Sequence, residues 1–85
     1  MVRLLDLKNK EVINIADGCR LGFVCDVEFC PKEGRIEAVI IPGAGKMFGV
    51  FGHEQEFRVK WSCIDQIGAD LIIINADPDE IIVDL

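Results

Sequence analysis

The sequence predicts an all-β fold, a small β-barrel with one short helical turn near residues 62–67. Three observations carry this. Apolar and polar residues alternate with period two along most of the chain. The apolar runs are stopped by turn formers such as Pro42-Gly43 and Asp77-Pro78. No stretch shows long helical periodicity, an internal repeat or a low-complexity linker. At 85 residues the chain is read as one domain, residues 1–85, with 76–85 as a C-terminal extension.

The elements follow in order. Glu11-Val12-Ile13-Asn14-Ile15 is a first strand, and Ala16-Asp17-Gly18-Cys19 turns it. Leu21, Phe23, Cys25, Val27 and Phe29 share one face of a long second strand, with Asp26 and Glu28 opposite. Gly22 interrupts its polar face, a mark of a bulge or a close backbone approach. Pro31-Lys32-Glu33-Gly34 is a tight turn. The third strand sets Ile36, Ala38 and Ile40 against Arg35 and Glu37, then turns apolar on both faces at Val39 and Ile41.

Beyond the glycine-rich segment 43–52, Glu56 to Trp61 alternates with Phe57, Val59 and Trp61 inward, so Trp61 reads as a core residue. Ser62-Cys63-Ile64-Asp65 is the helical turn, with Ser62 as N-cap and Gly68 as its stop. Leu71-Ile72-Ile73-Ile74 is a strand without a polar face, and Ile81-Ile82-Val83 is a last short segment beyond Pro78.

Half the residues are apolar, which excludes a disordered chain. Net charge is −6, and Asp65 to Leu85 contains six carboxylates and no Lys or Arg. Direct nucleic-acid binding needs clustered cations, so none is expected. The longest apolar run is too short for a membrane helix of about 20 residues. Asp6 breaks the apolar stretch a signal peptide needs, so a cytoplasmic protein with no membrane contact is expected.

Candidate chemistry is sparse. Cys19, Cys25, Cys30 and Cys63 contain no C-x-x-C spacing; Cys25 reads as a small core residue and the others as free thiols, with neither zinc nor a disulfide expected. His53-Glu54-x-Glu56 lacks a third ligand and a nucleophile partner, and reads as a solvated hairpin flank. Gly43-Ala44-Gly45-Lys46 fails as a phosphate loop, because Ile40 stands where the first glycine belongs and Met47 follows the lysine. No cofactor and no catalytic residues are assigned, and a non-enzymatic protein is expected. Met47, Phe48, Val50 and Phe51 form an apolar hairpin tip with two readings of equal standing: a plug folded over the barrel mouth, or an exposed anchor for a protein partner.

The pieces Leu7-x-x-Lys10-Glu11-Val12, Asp17-Gly18-x-x-Leu21-Gly22-x-Val24-x-Asp26, Gly34-x-Ile36-x-Ala38 and Trp61-x-x-Ile64-x-x-Ile67-Gly68-x-Asp70 occur in that order. Together they resemble the PRC-barrel family over residues 4 to 75. Ile40-Ile41-Pro42-Gly43 followed by Phe48-Gly49-Val50-Phe51-Gly52 is similar to its small stand-alone members associated with sporulation. The resemblance implies a six-stranded PRC-type barrel, a cytoplasmic setting, no enzymatic activity and a protein-docking role. It also implies an alternative, a ribosome-associated adaptor acting through a ribosomal protein, since one relative matures ribosomes. Four cysteines and the extension after Asn75 depart from the family pattern.

A symmetric homodimer is expected as well. Val39-Ile40-Ile41 and Leu71 to Ile74 are apolar on both faces, and their outward residues would leave an exposed patch. Ile81-Ile82-Val83 offers a strand for pairing between copies; the competing reading is a tail that folds back on its own barrel, covers the patch and leaves a monomer.

Overall fold

A computed structural model describes residues 2–43 and 55–84. The chain begins with a short helix, α1 (Leu4–Lys8), and then forms β1 (Glu11–Asn14), β2 (Cys19–Phe23), β3 (Asp26–Cys30), β4 (Arg35–Pro42) and β5 (Gln55–Lys60). A 3-10 helix (Trp61–Cys63) leads into β6 (Ile64–Ile67) and β7 (Leu71–Ile74), followed by α2 (Pro78–Ile81) and β8 (Ile82–Asp84). The all-β expectation holds. The six-stranded barrel does not: the described residues form eight strands in two four-stranded sheets, ordered β2-β1-β7-β6 and β3-β4-β5-β8.

The first sheet is mixed. β1 and β2 form an antiparallel hairpin whose turn ends at Gly18, at φ 71°, where Asp17 Oδ1 accepts from Cys19 N at 2.9 Å. β1 runs parallel to β7, pairing Glu11 with Leu71 through Asn14 with Ile74. β6 completes the sheet antiparallel to β7.

The expected single strand from Leu21 to Phe29 is two strands in different sheets. Val12 pairs with Gly22 and Ile13 with Arg20, which leaves Leu21 as the extra residue of a bulge. Gly22 takes φ 110°, a conformation that favours glycine. The chain then turns a corner at Val24-Cys25, and Cys25 N donates to Ile40 O at 2.8 Å as the second ladder begins. Bulge and corner together break the period of two. Val24 is therefore buried, whereas Phe23, Cys25 and Phe29 are exposed, so Cys25 is not a core residue.

A second bulge corrects β4. Glu28 pairs with Ala38 but Phe29 with Ile36, so Glu37 is the extra residue. Val39 and Ile41 face the core with Val27, Val59 and Phe57, and Ile36 joins their side of the sheet. Ala38 and Ile40 point outward, yet their exposures are 0% and 6%. Asp26 and Glu28 flank them on β3, and Arg58 and Lys60 on β5. Arg58 Nε donates to Glu28 Oε1 at 2.8 Å across β4, and the aliphatic stems of these charged residues cover what the sequence left bare. The outward patch assigned to Val39-Ile40-Ile41 is thus buried within one chain. On β7, Ile72 and Ile74 are buried and Ile73 is half-buried, leaving Leu71 exposed.

The helical turn expected near residues 62–67 is confined to the 3-10 helix, and Ser62 makes no capping bond. Ile64 and Ile67 pair with Ile74 and Ile72 instead. Sheet pairing of β-branched residues outweighs a weak local capping signal. Gly68 N donates to Leu71 O at 2.8 Å and turns the chain into β7.

The tail folds onto its own chain. Asp77 caps α2 by accepting from Asp79 N at 3.0 Å, Ile81 is buried in the core, and β8 pairs with Gln55 to Phe57 of β5. Helix α1, which the sequence reading did not find, starts where Arg3 N donates to Asp6 Oδ2 at 2.9 Å and buries Leu7.

Candidate protein-interaction site

The hairpin tip Met47, Phe48, Val50 and Phe51 lies outside the described residues, as do Lys46, His53 and Glu54. Its base is defined: Gly43 N donates to Gln55 O at 2.9 Å, at one end of the β4–β5 pair. The opposite end of that pair holds an apolar mouth. Trp61 stands six positions beyond Gln55, so base and mouth lie about 20 Å apart along the strand.

The mouth exists because the second sheet extends past the core. Val27, Phe29 and Ile36 continue its inner face beyond the last fully buried pair, Val39 and Val59. Ile67 of β6, Trp61 of the 3-10 helix, and Val2, Leu4 and Leu7 from the N-terminal segment complete the mouth's lining. The cavity measures about 440 Å³, and among the described residues the only charged side chain lining it is that of Arg35. Phe29 is 62% exposed and Trp61 38%, so Trp61 is not a core residue. Val2 and Leu4 are each about half exposed. Sequence reasoning counted Phe29 and Trp61 as inward; Phe29 lies on the Val27–Ile36 side of its sheet, and both side chains open into the mouth. Leu4 and Leu7, three apart on α1, are the one local trace of the mouth in the sequence, a repeat too short to identify the helix by itself.

A smaller cleft of about 280 Å³ adjoins the mouth through Arg35, Ile36 and Trp61. It brings Arg58 and Lys60 together with Glu37 and Ser62. Arg35 pairs with Glu33 at 2.7 Å and Arg58 with Glu28 at 2.8 Å, both with solvent-exposed side chains. Lys60 has no ion-pair partner among the described residues. A third, more polar cleft runs between β5 and the tail, where Arg58 and Lys60 face Asp77 and Glu80.

All four cysteines are free. Ligand atoms of Cys30, Glu33 and Glu37 lie within 4.8 Å of one another at the β3–β4 turn. Spacing alone could not reveal this group, because the bulge at Glu37 brings it together. Glu33 is already engaged by Arg35, and both glutamates are exposed. No helix among the described residues is long and apolar enough to cross a membrane.

The PRC-barrel domain family matches residues 1–81. The chain is 35% identical over 75 residues to the probable sporulation protein YlmC of Bacillus subtilis, covering 88% of this chain and 93% of that one. It is 37% identical over 81 residues to the uncharacterized protein YmxH of the same organism, covering 93% of each. An uncharacterized protein of Clostridium acetobutylicum is 34% identical over 71 residues, 84% of this chain and 80% of that one. No solved structure matches. Coverage this complete, on a frame of one mixed and one antiparallel β-sheet, leaves one conclusion: the chain belongs to the PRC-barrel family.

Proposed function

We propose that this chain is a non-enzymatic protein-interaction module that serves sporulation, and that it docks its partner at the apolar mouth. The carrying observation is Phe29, a large aromatic left 62% exposed beside a cavity of about 440 Å³. Contiguous exposed apolar surface of this kind marks interaction sites. The link to sporulation rests on the name of the YlmC relative. The tip Met47, Phe48, Val50 and Phe51 is a second candidate anchor, at the far end of the β4–β5 pair. A cytoplasmic setting belongs to the same reading. A symmetric dimer does too, now without the patch at Val39 to Ile41. The ribosome-adaptor alternative finds no support in the comparisons.

The test is a crosslinking pull-down from sporulating Bacillus subtilis with three tagged baits: wild type, Phe29→Asp, and Phe48→Ser with Phe51→Ser. Partners retained by wild type and lost from Phe29→Asp are the expected result. Identical partner sets from all three folded baits would remove both surfaces from the account.

A further inference from the structure

We infer that the occupant of the mouth is an amphipathic helix of a partner protein, bearing two bulky apolar anchors one turn apart and acidic residues beside them. This rests on the interaction reading above and specifies the partner's chemistry.

Volume sets the number of anchors. A cavity of about 150 Å³ admits a benzene ring, so about 440 Å³ admits two or three side chains of that size. Residues four apart on a helix project from one face with Cβ atoms about 6 Å apart, which suits two anchors in one groove.

The walls set the backbone. Apart from Arg35 and Gly34, the lining consists of apolar side chains. An extended peptide pressed into such walls would leave N–H and C=O groups desolvated and without partners. A helix satisfies those groups internally.

Area argues against a second copy as the occupant. Phe29 and Trp61 leave on the order of 100 Å² each open, and with Val2 and Leu4 the patch reaches roughly 400 Å². A stable symmetric dimer needs about 800 Å² from each partner.

Charge sets the flanks. In a chain of net charge −6, the cleft that continues the mouth past Trp61 gathers Arg35, Arg58 and Lys60 against Glu37. The Glu33 and Glu28 pairs on the two arginines are exposed and screened by solvent, so the arginines are free to exchange them for a partner's carboxylates. Lys60 adds an exposed ammonium. Carboxylates on the partner helix meet complementary charge here, and lysines would not.

Trp61, the single tryptophan, reports occupancy directly. The probe is a synthetic 16-residue amphipathic peptide with Leu and Phe four apart on one face and Glu on its flanks. Three comparisons accompany it: the same peptide with Lys for Glu, the same with a central Pro, and 8-anilinonaphthalene-1-sulfonate as a small apolar probe. The expected result is a saturable blue shift of Trp61 emission with the acidic helix. Binding should be at least tenfold weaker for the Lys and Pro peptides, and at least tenfold weaker to Phe29→Asp or Leu4→Asp. Leu5→Asp, an exposed change outside the mouth, should bind as wild type.

Equal binding of the Pro and helical peptides, a shift from the small probe alone, or a shift that follows protein concentration without peptide would each overturn the inference. Partners lost from the Phe29→Asp bait with no peptide binding would sink the helix and leave the docking reading standing. Identical partner sets in that pull-down would sink the docking reading itself.

Discussion

Asn14 grips the backbone of Ala76 with both ends of its amide: Nδ2 donates to Ala76 O at 2.9 Å and Oδ1 accepts from Ala76 N at 3.2 Å. The same Oδ1 accepts from Ala16 N at 3.1 Å. Asn14 is the only fully buried polar side chain among the described residues, and it fastens the end of β1 to the segment that follows β7. Its replacement strands buried backbone groups. Asn14→Ala should cost about 2–4 kcal/mol, read as a lower midpoint in urea unfolding with an unchanged slope. Asn14→Asp should also destabilise, since it deletes the donor and buries a charge. A loss under about 0.5 kcal/mol for both would show that water or relaxed backbone replaces the amide.

Gly43 should tolerate no side chain. A Cβ there would sit 2.6 Å from Gln55 O, a backbone atom that cannot swing aside. Gly43→Ala should lower the melting temperature by several degrees, consistent with about 1–3 kcal/mol of overpacking. An unchanged melting temperature would show that the base of the hairpin shifts freely.

Phe29 and Val39 should respond in opposite ways, although both are apolar and both face the core side of their sheet. Val39→Ala empties a fully buried position and should cost about 1–3 kcal/mol. Phe29→Ser touches a side chain already open to solvent, and stability should change by at most about 0.5 kcal/mol. A large loss from Phe29→Ser would mean the residue serves packing, and docking at the mouth would lose its main support.

Ending the chain at Asn75 should promote association. The cut removes Ala76, Ile81 and β8, opening the β5 edge and an apolar site beneath α2. Light scattering over a concentration series should give a higher average mass for the truncated form than for the full chain. A truncated form no more associated than the full chain would show that the tail shields nothing.

Zinc should be absent at stoichiometric level from protein purified without chelator. Cys30 offers one thiolate, and its two carboxylate neighbours are exposed, with Glu33 held by Arg35. Structural zinc sites close with four ligands, mostly Cys and His. One zinc per chain, lost in Cys30→Ser, would reverse this.

Most strands could be read from the chain because period-two alternation is a local property of strands buried on one face. The misreadings come from places where tertiary pairing resets that period. Leu21 and Glu37 are extra residues in bulges, and each moves its neighbours to the other face, which is why Cys25 proved exposed and Val39 inward. Helix α1 escaped notice because five residues hold too little of a 3.6-residue period. The mouth was least legible of all. It depends on how far β3 and β4 run past the opposing sheet, and no local pattern records an overhang. The tip, chosen from composition, falls outside the described residues.

The parallel pairing of β1 with β7 also orders events as the chain is made. Glu11 and Leu71 are partners 60 positions apart, so the first sheet cannot close until most of the chain exists. At a synthesis rate of about 5–20 residues per second, the β1–β2 hairpin waits for several seconds with one edge unpaired. A two-stranded hairpin is marginal in water. The second sheet, whose β3, β4 and β5 are consecutive in sequence, is free to assemble during that interval. The N-terminal hairpin is then captured late, by a strand from near the other end of the molecule. Asn14 can seize Ala76 only once that strand has passed, which makes this buried amide a latch that closes late.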